Sequence, residues 1–146
     1  MIDRDASSYL ALFALQQAYV IASRFAEAID VSRLALEVSG RHQWALGTLA
    51  FAYGRGGHVR DARAVYDEMV ARSSREHMQK SVVAVAAAAA DLAREAVALI
   101  DEALAERDPV LINSIKYYPA YEPVRQALRE AGTLDAVLSR LRIGAL

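Results

Sequence analysis

The stretch Trp44-Ala45-Leu46-Gly47-Thr48-Leu49-Ala50-Phe51-Ala52-Tyr53 runs directly into Gly54-Arg55-Gly56-Gly57. Leu46, Leu49, Ala50 and Tyr53 stand at i, i+3, i+4 and i+7, which is one face of an α-helix. The glycines end that helix, because Gly supplies the left-handed residue a helix terminus needs. A second helix is predicted beyond them, with Ala62, Val65, Tyr66, Met69 and Val70 on one face.

The same hairpin recurs outward in both directions. Ala28, Ala62 and Ala96 are 34 residues apart (62 − 28 and 96 − 62). In the same register stand Leu15, Leu49 and Val83; Ala18, Ala52 and Ala86; Ala35, Met69 and Ala103; Leu36, Val70 and Leu104; and the acids Glu27, Asp61 and Glu95. Six coincidences in one register mark an internal repeat. The first unit reads Leu12, Leu15 and Tyr19, a break near Ser23-Arg24, then Ala28, Ser32, Ala35 and Leu36. The third reads Val83, Ala86, Ala87 and Ala90, a break at Asp91, then Ala96, Ile100, Ala103 and Leu104. Ser73-Ser74-Arg75-Glu76 has the S-x-x-E form of a capping box before an apolar run. Asp108-Pro109 offers an N-cap followed by Pro at the first helical position.

Leu49, Ala50, Tyr53, Gly57, Ala62 and Tyr66 fall in the order and spacing of the tetratricopeptide consensus, which the chain resembles over roughly residues 9–108. Unit one departs from it at Ser32, where an aromatic is usual, and unit three at Ala87, where Tyr is usual. The resemblance implies an all-α fold: a right-handed α-solenoid of about three helix pairs within 7–108 (near 9–42, 43–76 and 77–108), with a helical capping segment over 109–146. That segment is predicted as a helix near Val110 to Ile115, a loop through Lys116-Tyr117-Tyr118-Pro119, and helices near Pro123 to Ala131 and Leu134 to Leu141. Leu134, Val137 and Leu141 are expected to cover the last apolar face. The phrase Glu106-Arg107-Asp108-Pro109, then Ile115-Lys116, Pro119, Tyr121-Glu122-Pro123 and Arg125, is similar to the C-terminal ends of bacterial multi-domain regulators. There the repeats follow a DNA-binding, nucleotide-cyclase or kinase module, which implies a segment of a longer parent or a standalone derivative.

Composition excludes several classes. The 146 residues are 55% hydrophobic and 24% charged with few Gly (7) and Pro (3), the profile of an ordinary helical globular chain. The net charge is −1, and bases alternate with acids, as in Arg60-Asp61-Ala62-Arg63, so no nucleic-acid stripe is present. With no Cys, disulfides and thiolate metal sites are excluded. Met1-Ile2-Asp3-Arg4-Asp5 lacks a signal-peptide pattern, and the apolar run Val82 to Ala90 is too short to span a bilayer, so a cytoplasmic location without membrane contact is expected. Arg55-Gly56-Gly57-His58 lacks the strand and the Gly-Lys-Ser/Thr ending of a phosphate loop and reads as an inter-helix turn. His42, His58 and His77 form no i, i+4 pair and read as surface or helix-start residues. Asp101, Glu102, Glu106 and Asp108 read as a solvated face. No catalytic residue, metal site or cofactor is expected, and the chain reads as a non-enzyme.

Tyr117, Tyr118 and Tyr121 with Lys116 and Arg125 form the densest aromatic and basic cluster, expected to cover the open end of the solenoid with wet hydroxyls. In the family resembled, the first helix of each unit lines a concave partner-binding face. Carried over, that face is Leu10, Phe13, Gln17 and Val20; Trp44, Thr48, Phe51 and Arg55; and Met78, Val82, Val85 and Ala89. Phe13, Gln17, Thr48, Met78 and Val82 occupy the places of the family's carboxylate clamp, so an acidic-tailed chaperone peptide is not the expected ligand. Trp44 and Phe51 are the expected anchors, with Gly47 and Gly54 leaving room for a ligand backbone. The expected function is a protein-interaction scaffold holding a peptide or amphipathic helix in this apolar groove. The alternative is a sensory segment of a bacterial transcription regulator, cyclase or kinase. Upstream repeats, a second copy or the tail are the competing occupants of the groove, and a homo-oligomer is compatible with either reading.

Overall fold

The computed structural model describes the backbone of residues 2–141 and the side chains of residues 8–141. Residue 1, residues 142–146 and the side chains of the opening Met1 to Asp5 stretch lie outside the described residues, and with them the end of the expected capping segment. Six helices come first: α1 (Ile2–Ile21), α2 (Phe25–Ser39), α3 (Gln43–Arg55), α4 (Val59–Arg72), α5 (Lys80–Ala89) and α6 (Ala93–Ala105). Then follow α7 (Pro109–Ser114), a 3-10 turn at Pro119–Tyr121, α8 (Glu122–Glu130) and α9 (Leu134–Arg140). Among the described residues there is no strand, and no helix is long and apolar enough to cross a membrane.

The period is written into the backbone. Helices α1, α3 and α5 end at Ile21, Arg55 and Ala89, and α2, α4 and α6 begin at Phe25, Val59 and Ala93, each step being 34 residues. Between them Ser23, Gly57 and Asp91 share the left-handed conformation at φ 58°, 84° and 60°. Each turn is closed by the same bond, from the amides of Arg24, His58 and Leu92 to the carbonyls of Tyr19, Tyr53 and Ala87 at 2.8, 2.7 and 2.9 Å. Gly57 adopts this backbone freely, whereas an L side chain pays about 1 kcal/mol or more. Ser23 and Asp91 hold the same conformation within turns closed by the same bond.

Packing is between neighbours. α1 packs on α2, α2 on α3, α3 on α4 and α5, α4 on α5, and α5 on α6. α7 and α8 cover α5 and α6, and α9 rests on α8. Ala28, Ala62 and Ala96 have no accessible surface, and there only a methyl group fits between helices. Leu46, Met69, Ile100 and Leu128 are fully buried, each contributing about 1.5–3 kcal/mol relative to exposure. The Ala-rich α5 is buried on nearly every side.

Three sequence expectations are corrected here. Ser73 closes α4 instead of opening α5: its hydroxyl donates to the Val70 carbonyl (2.6 Å), and Glu76 turns back to Arg72 (2.6 Å). Helix α5 starts only at Lys80, with no side-chain cap bond at Gln79. Asp108 is buried, since both its oxygens are consumed as acceptors in the fold. Leu15 and Ala18 are exposed although their register partners Leu49, Ala52, Val83 and Ala86 are buried, because α3 and α5 each have a preceding helix packed on them and α1 does not.

Candidate functional site

Helix α3 lies between α1 and α5, and one face of this layer opens into a cavity of about 470 Å³. Its near wall is Phe13 of α1, Trp44, Gly47 and Thr48 of α3, Gln79, and Val82 and Val85 of α5. Its far wall is Pro109, Val110, Asn113 and Ser114 of α7, then Tyr118, Ala120 and Tyr121. The 3-10 turn approaches α1, so the tail crosses the mouth of this cavity.

Two devices fix the tail. Asp108 caps α7 by accepting from the amides of Val110 (2.9 Å) and Leu111 (3.4 Å) through Oδ1. Its Oδ2 accepts from the amide (3.1 Å) and hydroxyl (2.7 Å) of Ser81 in the first turn of α5. Arg125 donates to the carbonyls of Ile115 (2.8 Å) and Tyr118 (3.1 Å) and pairs with Glu122 (2.8 Å), which closes the loop around Pro119. Tyr121 is therefore buried, and its hydroxyl is not wet as expected; burial raises its pKa well above the ordinary phenol value. Burial likewise pushes Tyr118 up to about 12. Tyr117 alone of the three stays largely in solvent, its ring beneath the Lys116 ammonium at 5.3 Å.

The expected groove residues divide. Phe13, Trp44, Thr48, Val82 and Val85 line the cavity together. Trp44 is 42% exposed, stacks near Phe13 (6.2 Å between centroids) and donates from Nε1 to Gln79 Oε1 at 2.6 Å. Gln17 stands behind the wall, donating to Thr48 Oγ1 at 3.2 Å. Phe51 is only 3% exposed and meets the edge of Phe25, so it is core and not an anchor. Arg55 lies over the Phe51 ring at 5.5 Å, away from the cavity. Met78, Val20 and Ala89 are buried, whereas Leu10 is 64% exposed and does not line this cavity. Gly47 and Gly54 leave no room for a ligand backbone. A Cβ on Gly47 would stand 2.8 Å from Val82 Cγ1, and one on Gly54 would stand 2.7 Å from the Ala89 carbonyl oxygen. These glycines set the close contact of α3 with α5.

The sequence reading places Gly47 on this surface and names the tail among the occupants of the groove, but it misses Gln79 and assigns none of the far-wall residues to the site. Pro119 and Pro123 show that the chain turns there. The direction of the turn is decided by Asp108 reaching Ser81, 27 residues away, which no local pattern encodes.

His42 starts α3, its Nδ1 accepting from the Trp44 amide and from the Tyr9 hydroxyl, both at 3.2 Å. Those two donors place the ring proton on Nε2. His58 precedes α4, and His77 lies in the extended lead into α5. Among the described residues no group of three or more His, Cys, Asp or Glu is arranged to hold a metal ion. A second hollow of about 620 Å³ lies between α2, α3 and α4 and is more polar. There Arg41 grips Glu68 in a two-bond pair (2.8 and 2.6 Å), which holds the Glu68 carboxyl below its ordinary range. Compared with family models, curated proteins and solved structures, the chain matches none of them.

Proposed function

We propose that the chain is a tetratricopeptide-type interaction module, a right-handed α-solenoid of three helix pairs, which holds a short apolar segment of a partner protein in the cavity beneath its own tail. The shared 34-residue spacing of helix ends, left-handed turn residues and neighbour packing supports the repeat reading. The observation that carries the binding reading is the cavity itself. Its volume lies in the range of ligand sites, about 300–1,000 Å³, and its walls are largely aromatic and aliphatic with few polar groups, among them Thr48, Gln79 and Asn113. The tail narrows the concave face, so the occupant is one apolar turn of an amphipathic helix or a short extended stretch, not a long helix lying along the groove.

Trp44 is the sole tryptophan and sits on this wall, so its emission reports occupancy directly. Amphipathic peptides bearing one cluster of large apolar side chains are expected to shift that emission saturably. Trp44→Ala is expected to weaken the same peptides about thirtyfold by calorimetry, while the melting temperature changes little because the ring is half in solvent. A melted Trp44→Ala variant would return the ring to the core and sink the anchor role. The second reading, a sensory segment of a bacterial regulator, is favoured by the cavity's far wall being the tail, so that a small apolar ligand would bias the tail's docking. Thermal stabilisation by small apolar compounds, with no response to peptides, would select it.

A further inference from the structure

The polar groups of the cavity divide into those already partnered and those left over. Thr48 is partnered: its hydroxyl donates to the Trp44 carbonyl at 3.1 Å and accepts from Gln17 Nε2 at 3.2 Å. Gln79 is partnered at one end only. The indole N–H of Trp44 can only donate, so the side-chain oxygen of Gln79 faces it at 2.6 Å and the Nε2 donor is left over. Asn113 is the reverse case. The Pro109 carbonyl can only accept, so Asn113 Nδ2 faces it at 3.0 Å and the Oδ1 acceptor is left over. Among the described residues neither leftover group has a hydrogen-bond partner. The hydroxyls of Ser114 and Tyr118 belong to the far wall too, but each donates or accepts as needed and so selects nothing.

Both amides are held in place. The main-chain N–H of Gln79 donates to Gln43 Oε1 at 2.7 Å, and Asn113 stands one turn into α7, which Asp108 caps. Gln79 belongs to the near wall and Asn113 to the far wall. Both are less buried than Val82 and Val85, so the amides stand nearer the mouth and the valines form the floor. No residue lining this cavity is charged at neutral pH. The second hollow differs, since Arg33, Glu37, Arg41, Asp61 and Glu68 all line it.

An occupant of the cavity therefore meets a donor, an acceptor and an apolar floor. A charge carried in would lose its water and find no partner. A helix satisfies its own N–H and C=O groups internally, so it would cover Gln79 and Asn113 and leave them unpaired. An extended chain brings one free donor and one free acceptor per residue, the complement of that pair. Building on the peptide-binding reading, we propose that the partner segment is extended and uncharged, its main chain clamped between Gln79 and Asn113 and one apolar side chain on the valine floor.

The probe is a capped neutral pentapeptide, leucine-valine-leucine between two serines, followed by Trp44 emission and calorimetry. Beside it are tested a hydrocarbon-stapled helical peptide with the same apolar residues and N-hexylacetamide, an amide without a peptide chain. The pentapeptide is expected to bind saturably and more tightly than either. Glutamate in place of its valine is expected to weaken it about a hundredfold or more. Ester replacements, each removing one N–H, are expected to cost about tenfold at one position on the parent chain. That cost is expected to vanish in Asn113→Ala, a substitution at an exposed position that leaves the fold intact. Gln79→Glu keeps the acceptor for Trp44 but replaces the free donor, and is expected to weaken the pentapeptide about tenfold or more. A stapled helix that binds more tightly, esters that bind as well as the amide, or an ester cost that persists in Asn113→Ala would overturn the extended clamp and leave the peptide-binding reading standing. Binding of N-hexylacetamide alone, or of none of the three probes, would overturn both.

Discussion

At the scale of residues, Gln16 and Ser32 explain how unit one departs from the pattern without losing the fold. Gln16 occupies the register position of Ala50 and Ala84, and Ser32 that of Tyr66 and Ile100. The large and small members of the pair are exchanged, and the exchange is polar. Fully buried Gln16 donates to Ser32 Oγ and to the Ala45 carbonyl at 3.2 Å, while Ser32 donates to the Ala28 carbonyl at 2.6 Å. The sequence makes Ser32 legible as an anomaly. Its compensation is legible only once α1 lies beside α2. His42 yields a prediction at this scale. Desolvation by burial, and then the nearby positive charge of Arg72, lower its pKa in the fold. The unfolded chain therefore binds the proton first as pH falls. The contribution of His42 is fully present above its unfolded value of about 6.5 and is lost as pH drops through the folded one. Protonation of Nδ1 also removes the acceptor shared by Trp44 and Tyr9. Melting temperature should decline from pH 7.5 toward 5.5, and His42→Asn, which keeps a capping acceptor, should flatten that decline. An unchanged slope in the variant would assign the loss to other groups.

At the scale of elements, helix boundaries were the most legible feature, because the 34-residue step fixes them twice over in Ile21, Arg55 and Ala89 and in Phe25, Val59 and Ala93. The exception is the start of α5. Ser73 to Glu76 has the letters of a capping box, yet Arg72 is close enough to claim Glu76, and Met78 is buried in an extended lead before the helix begins. The letters of the box lose there to the i,i+4 pull of Arg72 and to the burial of Met78. Gly54 marks the opposite situation, where the residue is forced by packing rather than by backbone conformation. Helix propensity alone would make Gly54→Ala stabilising by about 1 kcal/mol. The new Cβ would stand 2.7 Å from the Ala89 oxygen and 3.1 Å from its Cα, and neither atom can rotate away. Forcing α3 from α5 costs about 1–3 kcal/mol. The variant should therefore melt several degrees lower than the parent by calorimetry. A higher melting temperature would mean that the two helices slide apart without strain.

At the scale of the whole molecule, the expected groove is legible in part as a set of residues but not as a cavity. Five of its twelve expected residues line the site, and the residues that turn a groove into a pocket come from the tail. The reason is distance along the chain: Phe13 and Tyr121 line one cavity although more than a hundred residues separate them, and Asp108 and Arg125 aim the return of the tail. This architecture makes the tail a separable layer whose docking should fail in alkali before the repeats do. Burial raises Tyr118 to about 12 and raises Tyr121 as well, so the docked tail favours the neutral phenols. A group whose folded pKa is raised contributes stability below its unfolded value, about 10 for tyrosine, and that stability is lost as pH climbs toward the folded one. Between about pH 10 and 12 the tail should therefore loosen, and Trp44 on the facing wall should report it as a change in emission. Replacing Tyr118 and Tyr121 by Phe keeps two rings in the wall and removes both ionisations. The double variant should hold its Trp44 signal to higher pH than the parent, with the helical signal of both unchanged over the same range. If parent and variant lose the Trp44 signal at the same pH, the tyrosines are not what ties tail docking to pH.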